Sequence, residues 1–350
     1  MRLFASVLGL IFLFSIQGHT AQLPGPSEFP VHEVITVPAN DGSGVRLSLV
    51  HVVAKNNNKN RPVLVLLPGF TFTAYALVTP AIWFLARGYD VYIAQPRSAQ
   101  GEISGLKEVI FTDYPAQIRA LLARVAGKKI HLLGHSMGGV AVLSMLSRPE
   151  CKDIAKQVKT ATVLMGAGTL NAPPAWIHLP IIGTAYVSSG RTGPGASDFL
   201  RLPFSFITRL LTPLTRPLLD FAIQGLERVS DAHLRTFLRW GMGPIPTKAY
   251  NEASQWIGVD EARIDEIPVF LEDKVEVPLL NVAARYDQFV SAQSVADRHQ
   301  RMGGRPKVLV EMRSMEHVSP TLADLDDSLW RLVLQFHQDP RTLEAHILIE

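Results

Sequence analysis

Residues 129–139 read KIHLLGHSMGG, an apolar run that passes through a turn of small residues into a second apolar segment. The apolar residues 130–133 predict a strand covered on both faces, and residues 137–146 predict a helix. Ser136 lies between them in a G-x-S-x-G pattern. A strand-to-helix turn this tight strains its central residue and requires small residues two positions to either side. The stretch therefore predicts a serine that is presented at one edge of a sheet.

Strands and helices alternate over most of the chain on both sides of this turn. Two opening strands, residues 31–37 and 45–53, flank Asn40-Asp41-Gly42, a strong hairpin signal. Short apolar runs then alternate with helical patterns, which predicts an α/β fold with a mostly parallel central sheet and helices on both faces. Further strands are predicted at residues 63–67, 89–94, 160–165, 277–283 and 307–312, and further helices at residues 73–87 and 112–125.

The alternation stops between residues 171 and 266, where Pro, Phe, Leu and Arg are frequent and the periodicity is helical. We interpret this block as a helical insertion between two parts of the core, residues 22–170 and 267–350. Large apolar side chains next to arginines could roof an apolar pocket or touch lipid, and an ordinary packed subdomain explains them equally well. The candidate residues for a substrate pocket, in this block and near residue 70, are Phe72, Tyr75, Phe204 and Phe221.

The first residues have the layout of an export signal. Arg2 precedes the almost wholly apolar residues 3–16, and a short polar stretch follows up to Gln22. We predict a signal peptide over residues 1–21, with Ala21 the last residue before cleavage, and hence a secreted or periplasmic protein. An uncleaved anchor is the alternative, although the apolar run is shorter than the about 20 residues that a membrane span needs.

Composition excludes several other classes of protein. Hydrophobic residues make up 47% of the 350 residues and charged residues 19%, which is typical of an ordered globular chain. The net charge of +3 comes without a Lys/Arg run interleaved with aromatics, so nucleic acid is not an expected partner, whereas transient contact with an anionic membrane surface stays open. The sequence carries no signal that sets an oligomeric state.

Metal and cofactor motifs are also missing from the sequence. His131 and His135 are four residues apart, but on a predicted strand and turn, where they do not share a face as helical ligands would. There is neither an H-E-x-x-H motif nor a paired-Cys spacing, and no Gly-rich phosphate loop with a lysine. We therefore expect no metal and no cofactor.

A serine hydroxyl becomes a good nucleophile when a base takes its proton and an acid orients that base. Asp287 follows the strand predicted at residues 277–283, and His317 follows the strand predicted at residues 307–312. Both thus lie at carboxyl ends of strands, where open α/β sheets place their sites. A helix-capping role for Asp287 and a surface-loop role for His317 are the alternatives. Other carboxylates are less well placed. Asp260, Asp265 and Asp273 precede the strand predicted at residues 277–283 and so lie at its wrong end, and Glu316 is adjacent to His317 and would point elsewhere.

Backbone N–H groups close to Ser136 could stabilise an oxyanion. One is the N–H of Met137, the next residue. The second is the N–H of Phe70 in the loop Pro68-Gly69-Phe70, because proline has no N–H to offer. A plain strand-to-helix turn would also explain this loop.

Together these elements resemble the α/β-hydrolase superfamily, and within it the lipase- and esterase-like branch. The resemblance rests on LLPGF at residues 66–70, GYDV at 88–91, GHSMGG at 134–139, Tyr286-Asp287 and His317. It departs from the common pattern at Pro68, where histidine is frequent.

The resemblance implies a Ser136–Asp287–His317 triad, an oxyanion hole at Phe70 and Met137, and a helical cap over the site. It further implies a carboxylesterase or lipase that cleaves esters, with a hydrophobic acyl group favoured, through an acyl-serine intermediate. An acyltransferase that uses the same triad, and a catalytically silent fold that binds lipid or a partner, are the alternatives.

Overall fold

The computed structural model describes residues 32–53, 60–70, 72–100, 102, 104–171, 199–200, 241, 245–322 and 327–349. The predicted signal peptide, Phe204, Phe221 and most of the predicted insertion lie outside these residues. No helix within the described ranges is both long and apolar enough to cross a membrane.

A nine-stranded sheet organises the fold. The described residues form the strands β1 (His32–Pro38), β2 (Arg46–Val52), β3 (Val63–Leu67), β4 (Asp90–Gln95), β5 (Ile130–His135), β6 (Val158–Leu164), β7 (Phe199–Leu200), β8 (Ile245–Pro246), β9 (Arg263–Ile264), β10 (Ile267–Pro268), β11 (Leu279–Ala284), β12 (Lys307–Met312) and β13 (His346–Ile349). Strands β7 and β8 pair only with each other, as do β9 and β10, and the other nine form the large sheet. The large sheet has the order β1-β2-β4-β3-β5-β6-β11-β12-β13. Only β2 runs against its neighbours within it, so the predicted α/β fold with a mostly parallel sheet is confirmed.

Helices cover both faces of this sheet. The described residues form the helices α1 (Val78–Ala86), α2 (Leu106–Glu108), α3 (Tyr114–Arg124), α4 (Met137–Ser147), α5 (Lys152–Ala155), α6 (Thr247–Ser254), α7 (Ala292–Arg301), α8 (Ser319–Leu322) and α9 (Asp327–Gln338). A π-helical segment, Val109–Asp113, joins α2 to α3. We call the layer that contains α3, α4 and α7 the first core, and the layer that contains α1 and α9 the second core.

Strand β3 shows why the buried strands read as unbroken apolar runs. Its residues alternate between the two layers: Val63, Val65 and Leu67 pack in the first core, whereas Leu64 and Leu66 pack in the second. All five are fully buried. Since each buried side chain of this size contributes about 1.5–3 kcal/mol, the strand is held from both faces.

The end of the chain adds a strand that the sequence did not predict. Strand β13 is four residues long and pairs in parallel with β12 at one edge of the sheet. The predicted boundary at residue 266 also falls inside a structural unit, the tight hairpin between β9 and β10. Asp265 and Glu266 form its turn with positive φ angles.

Two histidines lie stacked inside the second core. The ring centroids of His131, on β5, and His337, on α9, are 4.6 Å apart. His131 Nδ1 lies 2.8 Å from the hydroxyl of Thr160, and His337 Nε2 lies 3.2 Å from that of Thr162. Burial lowers the pKa of His131 to about 3 and the pKa of His337 well below its ordinary value of 6.5. Both rings are therefore neutral in the folded protein at neutral pH.

These histidines predict that acid destabilises the fold well before the carboxylates titrate. In the unfolded chain they gain protons as the pH falls below about 6.5, whereas the folded chain holds them neutral down to much lower pH. The free energy of unfolding from urea titrations should fall between pH 8 and pH 5, by about 2 kcal/mol for each such histidine. His131→Asn, which keeps a polar partner for Thr160, should show a smaller fall; an identical pH dependence would contradict the assignment.

Candidate active site

Ser136 sits at the junction of β5 and α4 in a strained backbone conformation. Its φ of 52° and ψ of −121° lie in a region that non-glycine residues rarely occupy, at a cost of about 1–3 kcal/mol. Hydrogen bonds hold it there: its N–H donates to the carbonyl of Leu164 at 2.8 Å, and its carbonyl accepts from Gly139 at 2.8 Å and Val140 at 3.1 Å. The turn thus projects the side chain away from both elements.

Two glycines allow the backbone to cross this closely. A Cβ atom on Gly138 would lie 2.1 Å from the carbonyl oxygen of Leu67, and one on Gly134 would lie 2.3 Å from the carbonyl oxygen of Gly138. Neither contact can be relieved by a rotamer change, because both partners are backbone atoms. This is the physical reason for glycine two residues before and two residues after Ser136.

Ser136, His317 and Asp287 come together in one hydrogen-bonded chain. His317 Nε2 lies 2.8 Å from Ser136 Oγ, and His317 Nδ1 lies 2.7 Å from Asp287 Oδ2. The other carboxylate oxygen, Asp287 Oδ1, accepts the N–H groups of Phe289 and Val290, each at 2.8 Å. These two bonds fix the plane of the carboxylate, so its free oxygen faces the imidazole.

The groups around His317 favour the protonated form of its imidazole. Burial acts to lower the pKa of His317, but the charge and hydrogen bond of Asp287, with a contribution from Glu316, outweigh it, so the pKa lies above 6.5. Asp287 accepts at Nδ1, which leaves the Nε2 lone pair facing the serine hydroxyl when the ring is neutral. The arrangement can therefore withdraw a proton from Ser136 and hold it.

The loop after β3 lies against the serine. A Cβ atom on Gly69 would be only 3.0 Å from Ser136 Cβ. The Gly69 carbonyl accepts the N–H of Phe72 at 3.1 Å. Because a trans peptide points its N–H away from its carbonyl, this bond also sets the direction of the Phe70 N–H. The N–H of Met137 belongs to the first residue of α4, where no helical partner exists for it.

Tyr114 fixes the same loop from the first core. Its side chain is fully buried, and its hydroxyl donates to the carbonyl of Pro68 at 2.8 Å. The residue lies at the start of α3, directly after the π-helical segment, where Asp113 pairs with the buried Arg97 at 2.7 Å. Sequence reasoning missed Tyr114, because an aromatic residue at the start of a helix carries no local signal of such a contact.

The pocket residues predicted near the loop are buried. Phe72 is 6% exposed, and its ring stacks on His135 with centroids 5.4 Å apart. Tyr75 lies in a short 3-10 helix, Ala74–Leu77, and is 9% exposed. Phe289, which was not predicted, lies with its ring centroid 5.1 Å from that of His317. A pocket role for Phe72 and Tyr75 stays a prediction.

In the described part of the chain, no group of three or more His, Cys, Asp or Glu side chains converges in a way that could hold a metal ion.

A mostly parallel sheet with this strand order and a strained strand-to-helix turn after β5 defines an α/β-hydrolase fold. Residues 64–328 match the model of the alpha/beta hydrolase family, and the chain belongs to that family. A comparison with curated protein sequences found no match.

Solved structures with the same fold include three hydrolases. An enol-lactonase from Burkholderia xenovorans LB400 is 14% identical, with a TM-score of 0.55 over 88% of this chain and 100% of its own. Naproxen esterase (carboxylesterase NP) from Bacillus subtilis is 14% identical, with a TM-score of 0.53 over 88% and 92%. A thermophilic esterase from Thermogutta terrifontis is 12% identical, with a TM-score of 0.54 over 87% and 98%. At these identities the likeness is one of fold.

The contact between Tyr114 and Pro68 predicts a specific effect on catalysis. Tyr114→Phe removes the donor and lets the loop after β3 relax, so kcat for hydrolysis should fall about 10- to 100-fold. Stability should fall by about 1–3 kcal/mol, because a buried carbonyl loses its partner. Steady-state kinetics and urea denaturation measure the two effects.

Tyr89→Phe is the matched control. Tyr89 is buried in the second core, on the other face of the sheet, so its hydroxyl is remote from the loop. This variant should keep the kcat of the parent protein. Equal losses of kcat in the two variants would show that the Tyr114 effect is one of general destabilisation.

Proposed function

We propose that this chain is an exported serine hydrolase that cleaves carboxylic esters through an acyl-serine intermediate. The observation that carries the proposal is the continuous hydrogen-bonded chain from Ser136 Oγ through His317 to Asp287. Two further observations support it: the strained turn that presents Ser136, and the family to which the chain belongs. Export rests on the signal-peptide pattern of residues 1–21.

Acylation begins when His317 Nε2 takes the proton of Ser136 as Oγ attacks the carbonyl carbon of the ester. The carbonyl oxygen becomes an oxyanion, for which the N–H groups of Phe70 and Met137 are the proposed donors. Asp287 stabilises the imidazolium that forms. The imidazolium then donates its proton to the leaving alcohol oxygen, the carbon–oxygen bond of the ester breaks, and the acyl group stays on Ser136.

Deacylation repeats these steps with water in place of serine. His317 removes a proton from water, the hydroxide attacks the acyl carbon, and the same donors hold the second oxyanion. The imidazolium returns its proton to Ser136 Oγ as the acid leaves. An alcohol in place of water would give acyl transfer, and product analysis with a competing alcohol separates the two outcomes.

The preferred acyl group is proposed to be hydrophobic. Phe70, Phe72 and Tyr75 lie in or shortly after the loop that follows β3, and the ring of Phe289 lies beside that of His317. The predicted insertion, with Phe204 and Phe221 among its apolar residues, would complete such a pocket as a cap. Its arginines beside apolar side chains also suit transient contact with a membrane surface where lipid-like esters are found.

The proposal predicts serine-dependent turnover of p-nitrophenyl esters by the chain without residues 1–21. Rates should peak at medium or long acyl chains, from a series running from acetate to palmitate. Ser136→Ala removes the nucleophile and should lower kcat by about 10⁴- to 10⁶-fold. Ser144→Ala, which changes a buried serine further along α4, is the matched control and should keep the parent rate.

Two results would count against this function. Turnover that survives in Ser136→Ala would show that another group carries the reaction. A folded chain that hydrolyses no ester in the series would favour the catalytically silent binding fold instead.

A further inference from the structure

His135, the residue before the nucleophile, is fully buried between the two halves of the site. Its Nε2 lies 2.7 Å from the carbonyl oxygen of His317, a residue 182 positions further along the chain. Because a carbonyl only accepts, Nε2 must carry the proton of this hydrogen bond. The backbone of His317 is thus tied directly to strand β5, which also carries the nucleophile turn.

The same ring also packs against the loop that follows β3, which contains Gly69 and Phe70. The ring of Phe72 stacks on His135 with an interplanar angle of 2°. His135 Nδ1 would lie 3.0 Å from a Cβ atom on Gly69, so the loop and the ring are in close contact. The imidazole of His135 therefore contacts both the loop that contains Phe70 and the loop that contains His317.

His135 is suited to this place as a neutral ring. Complete burial, with a further contribution from the nearby His317, lowers its pKa to about 3. The centroids of the two rings are 5.1 Å apart, so a charge on His135 would oppose the imidazolium that His317 forms during catalysis. Nδ1 is buried and accepts no hydrogen bond from any described residue, which leaves the Nε2 bond as the ring's polar contact in that part of the chain.

We propose that His135 is a positioning residue, whose Nε2–H holds the His317 backbone so that the imidazole of His317 lies in line between Ser136 and Asp287. The inference rests on the proposed function for its kinetic consequence, although the geometry it describes exists without substrate. A positioning role of this kind has large effects, because a displacement of about 1 Å at a reacting group can cost about 100-fold in rate.

A matched pair of variants tests the role of the donor. In His135→Gln the amide nitrogen lies as many bonds from Cα as Nε2 of histidine does, so it can still donate to the His317 carbonyl. His135→Met has nearly the same length and no N–H. The Met variant should lose about 10- to 100-fold in kcat with KM almost unchanged, and the Gln variant should recover most of that loss.

A spectroscopic signature separates positioning from simple packing. The Nδ1–H proton of His317, shared with Asp287, should give a far-downfield proton resonance in the parent protein at low temperature. We expect the resonance to persist in His135→Gln and to shift or broaden in His135→Met. Equal kcat values and equal resonances in two folded variants would overturn the proposal.

The parent protein offers a test that needs no variant to fold. Nitrogen-15 labelling of the histidines should show His135 at pH 7 as the neutral tautomer with its proton on Nε2. A proton on Nδ1, or a cationic ring, would overturn the proposal. These readouts also separate the two hypotheses. A parent protein without esterase activity but with the predicted resonances would refute the function alone. An active parent protein whose His135→Gln and His135→Met variants have equal kcat values and equal resonances would refute the role of His135 alone.

Discussion

The backbone contact between the turn at Ser136 and strand β3 is the constraint on which the rest of the site depends. Carbonyl groups of Leu67 and Gly138 approach positions where any other residue would carry a Cβ atom. The strain of the positive φ at Ser136 persists because the sheet and α4 determine the turn from both sides. The two packed layers therefore stabilise a turn whose own backbone conformation is unfavourable.

The parallel strand order brings Asp287 and His317 to the same edge of the sheet as Ser136. Strands β5, β11 and β12 end at the same edge of the sheet, so the segments that follow them meet there. Ser136 and His317 are 181 residues apart in the chain, yet their polar atoms lie 2.8 Å apart. Ser136 lies where β5 meets α4, and Asp287 and His317 lie in the segments that directly follow β11 and β12, so the sheet positions all three side chains.

Much of this architecture could be predicted from local patterns. Buried strands such as β3 are short apolar runs with turn residues at their ends. The glycines around Ser136 indicate the turn, because a tight turn leaves no room for a Cβ atom at their positions. The sequence also indicated which residues follow β11 and β12, and these are Asp287 and His317. Strand β13 was missed, because four residues at the end of a chain form a strand only through pairing with β12.

The supporting contacts could not be predicted in the same way. The bond from Tyr114 to Pro68 spans 46 residues, and the bond from His135 to His317 spans 182. No residue near either donor in the sequence indicates its acceptor, because only the packing of distant segments in the fold brings donor and acceptor together. The spacing of His131 and His135 in the sequence indicates neither of their contacts: His131 bonds the hydroxyl of Thr160, and His135 bonds the carbonyl of His317.

The most direct test of the account is covalent labelling of the nucleophile. A fluorophosphonate reacts with a serine hydroxyl only when a neighbouring base activates it, so the adduct reports on Ser136 and His317 together. Intact-protein mass spectrometry with peptide mapping should find one adduct, on Ser136, in the parent protein and a much slower reaction in His317→Gln. A folded parent protein that forms no adduct, or forms it on another residue, would contradict the account.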